Sequence, residues 1–181
     1  MPMIRRVLIL GGARSGKSRT ALDLAEEAAG ERIYVATAQA LDEEMRERIA
    51  HHRSERGDRW QTREVPFALG ECIRTETAPG RAVLVDCLTL WLSNVLLAEE
   101  DVDLRTQELT DAVAEAAGPL ILVSNEVGHG IVPASPLGRA FRDAQGRLNQ
   151  RVAAACDAVV FVAAGCPILL KPAPALGLKL Q

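Results

Sequence analysis

The stretch Val7-Leu8-Ile9-Leu10-Gly11-Gly12-Ala13-Arg14-Ser15-Gly16-Lys17-Ser18 decides the fold. A short, wholly apolar run that stops at a glycine pair reads as a strand buried on both faces. From Gly11 the residues satisfy G-x-x-x-x-G-K-[ST] with no departure, and an amphipathic stretch follows from Lys17. Strand, glycine loop, helix is the setting in which this motif has a physical meaning. Glycines let backbone N–H groups curl round a phosphate, and the helix N-terminus adds partial positive charge. Gly11, Gly12, Ala13, Arg14, Ser15 and Gly16 are expected to form the cradle. Lys17 is expected to reach the β/γ-phosphates, and the Ser18 hydroxyl to ligate Mg²⁺. The motif reads as a nucleoside-triphosphate site and leaves the phosphate acceptor open.

Outward from this loop, short apolar runs alternate with longer amphipathic ones. Helices are expected at Lys17–Ala29, Asp42 to about Arg56, Pro66–Thr75, Leu88–Ala98, Leu104–Ala117 and Leu137–Ala155. Strands are expected at Val7–Leu10, Arg32–Ala36, Trp60–Val65, Ala82–Asp86, Pro119–Ser124 and Ala158–Ala163. The segment from Pro167 carries three prolines and reads as an edge strand or a wrap over the surface, with 172–181 as a proline-containing tail. Strands apolar on both faces and separated by helices predict an α/β fold, a mostly parallel sheet covered on both sides. In such sheets the ligand crevice lies at the carboxyl ends of the strands.

The chain has 181 residues, 48% apolar and 25% charged. These proportions exclude a disordered or fibrous chain, and the length predicts a single domain over 1–181 that needs no disulfide or metal to fold. No apolar run approaches the ~18 residues of a membrane span. Arg5-Arg6 before four apolar residues is too short for a signal peptide, so a cytoplasmic location is expected. Net charge is −3 with 21 basic and 24 acidic residues, the pI is about 5.7, and only six residues are aromatic. Neither a basic excess nor a stacking platform for nucleic acid is present. Cys72, Cys87, Cys156 and Cys166 form no CxxC pair and read as reduced thiols.

The crevice rule directs attention to residues just after each strand. Asp86 ends the apolar run Ala82–Val85, where a phosphate-loop enzyme needs a carboxylate near its metal; the other reading is a cap for the helix from Leu88. Asn125-Glu126 follows the run ending at Ser124 and should open on the crevice, or else form a turn and helix cap. His129, in the Gly128-His129-Gly130 loop, could contact substrate or lie free on the surface. The segment Arg48-Ile49-Ala50-His51-His52-Arg53-Ser54-Glu55-Arg56 sets two histidines beside arginines. On a helix His52 continues the stripe of Met45 and Ile49, while His51 turns about 100° away. One reading is a solvated charged face. The other is a histidine nucleophile attacking phosphorus, with Arg53 and Arg56 gripping the oxygens.

Taken together, residues 11–19, Tyr34-Val-Ala-Thr-Ala38, Asp42-x-Glu44-Met45, Arg48-Ile49-x-x-His52-Arg53, Trp60-x-Thr62-x-Glu64, Val85-Asp86-Cys87-Leu88-Thr89-Leu90-Trp91, Ser124-Asn125-Glu126-Val127-Gly128-x-Gly130-Ile131-Val132-Pro133 and Arg142-Asp143-x-x-Gly146-Arg147-x-Asn149-Gln150 closely resemble the bifunctional adenosylcobinamide kinase / adenosylcobinamide-phosphate guanylyltransferase family. The resemblance runs in order along nearly the whole chain. It implies a RecA-like P-loop NTPase fold. It also implies two reactions late in cobalamin assembly: phosphorylation of the aminopropanol hydroxyl of adenosylcobinamide by ATP or GTP, then transfer of GMP from GTP to that phosphate through a guanylyl-histidine. In the family pattern the nucleophile falls on His52, with Lys17 at the phosphates. Nucleotide contacts carry over to Gly11–Ser18, Ala36, Thr37, Ala38, Arg53, Ser54, Glu55, Arg56, Glu64 and Asp86, with Mg²⁺ at Ser18 and Asp86. A homotrimer is implied as well. Two other readings share the phosphate loop: another small-molecule kinase, which would leave His52 idle, and a RecA-type ATPase module, which would want a basic surface.

Overall fold

The computed structural model describes residues 4–28, 30–39, 43 and 59–173. Along these the chain forms β1 (Arg6–Gly11), α1 (Lys17–Ala28), β2 (Glu31–Ala36), β3 (Gln61–Glu64), α2 (Leu69–Glu76), β4 (Arg81–Asp86), α3 (Leu88–Leu97), α4 (Val102–Glu115), β5 (Leu120–Asn125), α5 (Pro136–Ala155), β6 (Ala158–Ala163) and β7 (Cys166–Lys171). The strands make one seven-stranded sheet in the order β3-β2-β4-β5-β1-β6-β7. All neighbours are parallel except β7, which runs antiparallel on the β6 edge. Cys166–Lys171 is thus an edge strand, where proline is tolerated, and residues 174–181 of the expected tail lie outside the described residues.

Strand side chains alternate between faces, and here they sort into two cores. Leu8, Leu10, Ile33, Val35, Val83, Val85, Leu120 and Leu122 pack under α2, α3, α4 and α5, with Leu69, Ile73, Trp91, Leu109, Val113, Leu148 and Val152 filling between. Ile9, Tyr34, Ala82, Leu84, Ile121 and Val123 face the other way, toward Ala21 and Ala25 of α1 and toward Trp60. Burial on both faces is why the strands read as unbroken apolar runs. The result is the mostly parallel, doubly covered α/β sheet of a P-loop nucleotide-binding fold.

Several boundaries differ from the sequence expectation, each for a local reason. The strands β2 and β4 begin one residue earlier, at Glu31 and Arg81, and Arg81 Nε donates to Glu31 Oε2 at 2.8 Å. Ladder hydrogen bonds are indifferent to side-chain polarity, so a charged pair can open a strand. Helix α4 begins at Val102 rather than Leu104, because Asp101 caps it by accepting Leu104 N–H at 3.0 Å. It ends at Glu115, short of Ala117. Helix α2 starts at Leu69 rather than Pro66 and β3 covers only Gln61–Glu64. The helix expected from Asp42 to about Arg56 lies, apart from Glu43, outside the described residues.

Candidate active site

The phosphate loop links β1 to α1. Lys17 Nζ donates to the Gly12 carbonyl at 2.9 Å, and Ser15 N–H to the same oxygen at 3.4 Å. The loop needs its glycines for steric reasons. A Cβ on Gly11 would stand 2.5 Å from Ser15 Oγ and 2.6 Å from the Val162 carbonyl oxygen. Gly16 has φ +97°, and a Cβ there would reach Gly165 Cα at 3.0 Å. Arg14 also has positive φ, at 54°, and is exposed with Ala13 at the tip of the loop. The turn between β6 and β7 holds the loop from outside: Gly165 N–H donates to the Ser15 carbonyl at 2.8 Å. Burial lowers the Lys17 pKa, while Cys87 and Asp86 pull it back upward. Lys17 follows β1 and Asp86 ends β4, so both stand at the carboxyl end of the parallel sheet.

Asp86 ends β4 on the α1 face, in phase with Ala82 and Leu84. Its Oδ2 accepts the Tyr34 hydroxyl at 3.1 Å. The α3 N-cap is Cys87 and no side chain caps that helix, so the capping reading of Asp86 is set aside. In the ladders Glu64 pairs with Ala36, and Ala36 with Asp86. These three form one row across the carboxyl ends of β3, β2 and β4. At about 4.8 Å per strand, exposed Glu64 lies roughly 19 Å from Gly11, so it faces a different part of any shared ligand.

Thr37 is wholly buried. Its Oγ1 donates to the Cys87 carbonyl at 2.7 Å and accepts Cys87 N–H at 2.9 Å. Its own carbonyl accepts Asn94 Nδ2 at 2.8 Å. Thr37 therefore clasps the residue after Asp86, and half-buried Ala36 and Ala38 flank it on the rim. His51, His52, Arg53, Ser54, Glu55 and Arg56 lie outside the described residues.

The end of β5 carries a polar network that periodicity alone did not reveal. Asn125 N–H donates to Thr89 Oγ1 at 2.9 Å, and the Asn125 carbonyl accepts Asn149 Nδ2 at 3.1 Å. Ser124 Oγ donates to Asn149 Oδ1 at 2.7 Å, and Gln145 Nε2 reaches both at 3.0 Å. Gln145 and Asn149 are buried, one turn apart, on the face of α5 that carries Ala144, Leu148 and Val152. Two amides on an otherwise apolar helical stripe were the available signal. Asn125 caps no helix, since Ser135 caps α5. Glu126 N–H donates to the Gly11 carbonyl at 3.0 Å. His129 is exposed in the loop beyond.

A phosphate cradle, an ammonium and a strand-end carboxylate stand at the carboxyl end of one parallel sheet, which is what transfer of a phosphoryl or nucleotidyl group requires. The model of the family described as cobinamide kinase / cobinamide phosphate guanyltransferase matches residues 7–170. The chain is 49% identical over 171 residues to the bifunctional adenosylcobalamin biosynthesis protein CobP of Pseudomonas aeruginosa, covering 93% of this chain and 99% of the relative. It is 41% identical to the bifunctional adenosylcobalamin biosynthesis protein CobU of Salmonella typhimurium and 39% to that of Escherichia coli, each over 180 residues, 91% of this chain and 99% of the relative. Among solved structures it is similar to the RadB recombinase, with a TM-score of 0.47 and 16% identity over 87% of this chain and 75% of that one. The family match spans both cores, the phosphate loop and the β5 network. The chain belongs to the cobinamide kinase / cobinamide phosphate guanyltransferase family.

Proposed function

We propose that this chain phosphorylates the aminopropanol hydroxyl of adenosylcobinamide with ATP or GTP, then transfers GMP from GTP to the new phosphate and releases pyrophosphate. The observation that carries the reading is a complete phosphate loop facing Asp86 within a chain matched to the family from residue 7 to residue 170. Lys17 and the loop N–H groups hold the β/γ-phosphates. Thr37 and Asn94 fix the segment that presents Asp86. Glu64 and the Ala36–Ala38 rim meet the part of the nucleotide remote from the loop.

Mg²⁺ suits this donor set. Asp86 Oδ2 is engaged by Tyr34 and Oδ1 has no hydrogen bond among the described residues, while Ser18 sits in the first turn of α1. Among the described residues no cluster of three His, Cys, Asp or Glu side chains could hold a metal. One carboxylate and one hydroxyl, with the remaining positions left to phosphate and water, is the usual protein share for Mg²⁺. When bound, the ion supplies charge neutralisation on the phosphate oxygens.

For the second reaction His52 is the nucleophile. Neutral imidazole displaces pyrophosphate from the α-phosphorus of GTP, and cobinamide phosphate then displaces the imidazole. Arg53 and Arg56 hold the charge that develops. The test is label from α-labelled GTP on wild type, His51→Ala and His52→Ala. Acid-labile label should persist in His51→Ala and vanish in His52→Ala, with some kinase turnover retained. Label kept by His52→Ala and lost by His51→Ala overturns the assignment, and label unaffected by either removes the covalent route. A cytoplasmic homotrimer completes the proposal. Exposed Ile168, Leu169 and Leu170 on the β7 edge and Ile131 in the β5–α5 loop offer apolar surface to neighbours; sedimentation of the purified chain tests the assembly.

A further inference from the structure

The two reactions differ in one chemical demand. The kinase step uses a hydroxyl, which must lose its proton. The guanylyl steps use an imidazole and a phosphate, nucleophiles that are already competent near neutral pH. A base needed for the first and idle in the second should therefore stand beside the phosphate loop and be free of a counter-ion.

Among the described residues three carboxylates stand at or just past the strand ends on this side of the sheet. Glu64 is on the β3 edge, four strands from β1. Asp86 is two strands from β1 and already accepts the Tyr34 hydroxyl. Glu126 follows β5, the direct neighbour of β1. Gly11 pairs with Asn125 in the parallel ladder, so Glu126 comes level with Gly12, the residue whose carbonyl receives Lys17 Nζ. Its carboxylate is half-exposed. It accepts the Gly128 N–H at 2.7 Å and has no Lys, Arg or His partner among the described residues.

Glu126 is also held unusually firmly for a residue that leaves a strand. The peptide preceding it is pinned from three elements: Asn125 N–H by Thr89 of α3, the Asn125 carbonyl by Asn149 of α5, and Glu126 N–H by Gly11 of the phosphate loop. Asn149 is locked in turn by Ser124 and Gln145. Beside it Asn125 Oδ1 is buried with no partner, on the α1 face with Asp86 by strand phase. An unpartnered acceptor beside a cradle is what a site leaves for its ligand.

We infer that Glu126 is the general base of the kinase step, and that the network of Thr89, Ser124, Gln145 and Asn149 positions it. The acceptor oxygen forms its bond to the γ-phosphorus, the bond from that phosphorus to the β,γ-bridging oxygen breaks, and the hydroxyl proton passes to the Glu126 carboxylate. The nucleoside diphosphate departs. This rests on the kinase half of the reading above.

The experiment compares wild type, Glu126→Gln and Glu126→Asp in two assays: γ-labelled ATP with cobinamide, and α-labelled GTP with cobinamide phosphate supplied directly. Glu126→Gln should lose about 10²- to 10⁴-fold in phosphorylation, the usual contribution of a general base, while GMP transfer stays near wild type and reports an intact fold and loop. Glu126→Asp, which keeps a carboxylate, should recover part of the kinase rate. Phosphorylation unaffected in Glu126→Gln overturns the inference. Equal loss of both activities does so too, since a shared role in nucleotide binding would then explain it. Wild-type chain with GMP transfer but no phosphorylation overturns the kinase reading instead.

Discussion

Lys17 combines a half-buried ammonium with a carboxylate neighbour. Burial lowers its pKa and the Asp86 carboxylate opposes that, at the place where a triphosphate must arrive. Lys17→Ala should abolish both phosphorylation and GMP transfer, costing on the order of 3–5 kcal/mol in kcat/KM, while the melting temperature changes little; paired kinetics and melts check this. Asp86→Asn keeps an acceptor for the Tyr34 hydroxyl and removes the charge. Its Mg²⁺ requirement should rise by at least the roughly 10- to 100-fold that losing even an outer metal partner costs, which a Mg²⁺ titration of turnover reads. Lys17, Ser18 and Asp86 were legible because a motif or an abrupt acid after an apolar run marks them. Thr37 was legible only through family resemblance, and its part is less direct than a ligand contact: its hydroxyl is spent on the Cys87 backbone. Which backbone a buried hydroxyl meets depends on strand order, and one strand's sequence does not contain that.

The central strands β1, β2, β4, β5 and β6 were easy to find because their middles are apolar on both faces, and what escaped were their ends, such as the charged first residues Arg6, Glu31 and Arg81; β3, with no apolar residue, was placed only roughly. Helix starts were harder, since α4 begins where Asp101 caps it and not where leucine periodicity begins. The β5 end was read as an opening onto the crevice, but the amides that secure it come from α5, 20 residues or more along the chain. Such pairings are invisible until the elements are assembled. The tight β1–loop–α1 junction makes a prediction at this scale. A methyl group on Gly11 would meet the Val162 backbone oxygen at 2.6 Å, and β6 is paired along its length and cannot yield. Gly11→Ala should lower stability by about 1–3 kcal/mol, as overpacking does, and weaken nucleotide binding with it. Thermal melts and a GTP-binding titration read the two effects; a variant that melts and binds like wild type would contradict the contact.

Across the whole molecule, β1 is closed on its far side by Asp157, just before β6. The Arg6 guanidinium and the backbone N–H groups of Arg5 and Arg6 hold the Asp157 carboxyl well below the usual carboxylate range. A folded-state pKa below the unfolded one stabilises above the unfolded value, near 4, and that contribution fades as pH falls through the folded value. Asp157→Asn should cost about 2 kcal/mol at pH 7, or roughly 4–8 °C in melting temperature for a chain of this size. The gap between variant and wild type should be constant above about pH 5 and close below about pH 4; denaturant melts across that range check it. The strand order has a consequence in time. Strand β1 is made first and contains the start of the phosphate loop, yet its two ladder partners are β5 and β6, residues 120–125 and 158–163. A nascent chain that has reached only β4 holds every residue of the loop motif with no strand to brace it. The nucleotide pocket is therefore a late event in biosynthesis, and ribosome-stalled chains ending before β5 should fail to retain GTP, whereas chains released beyond β7 retain it.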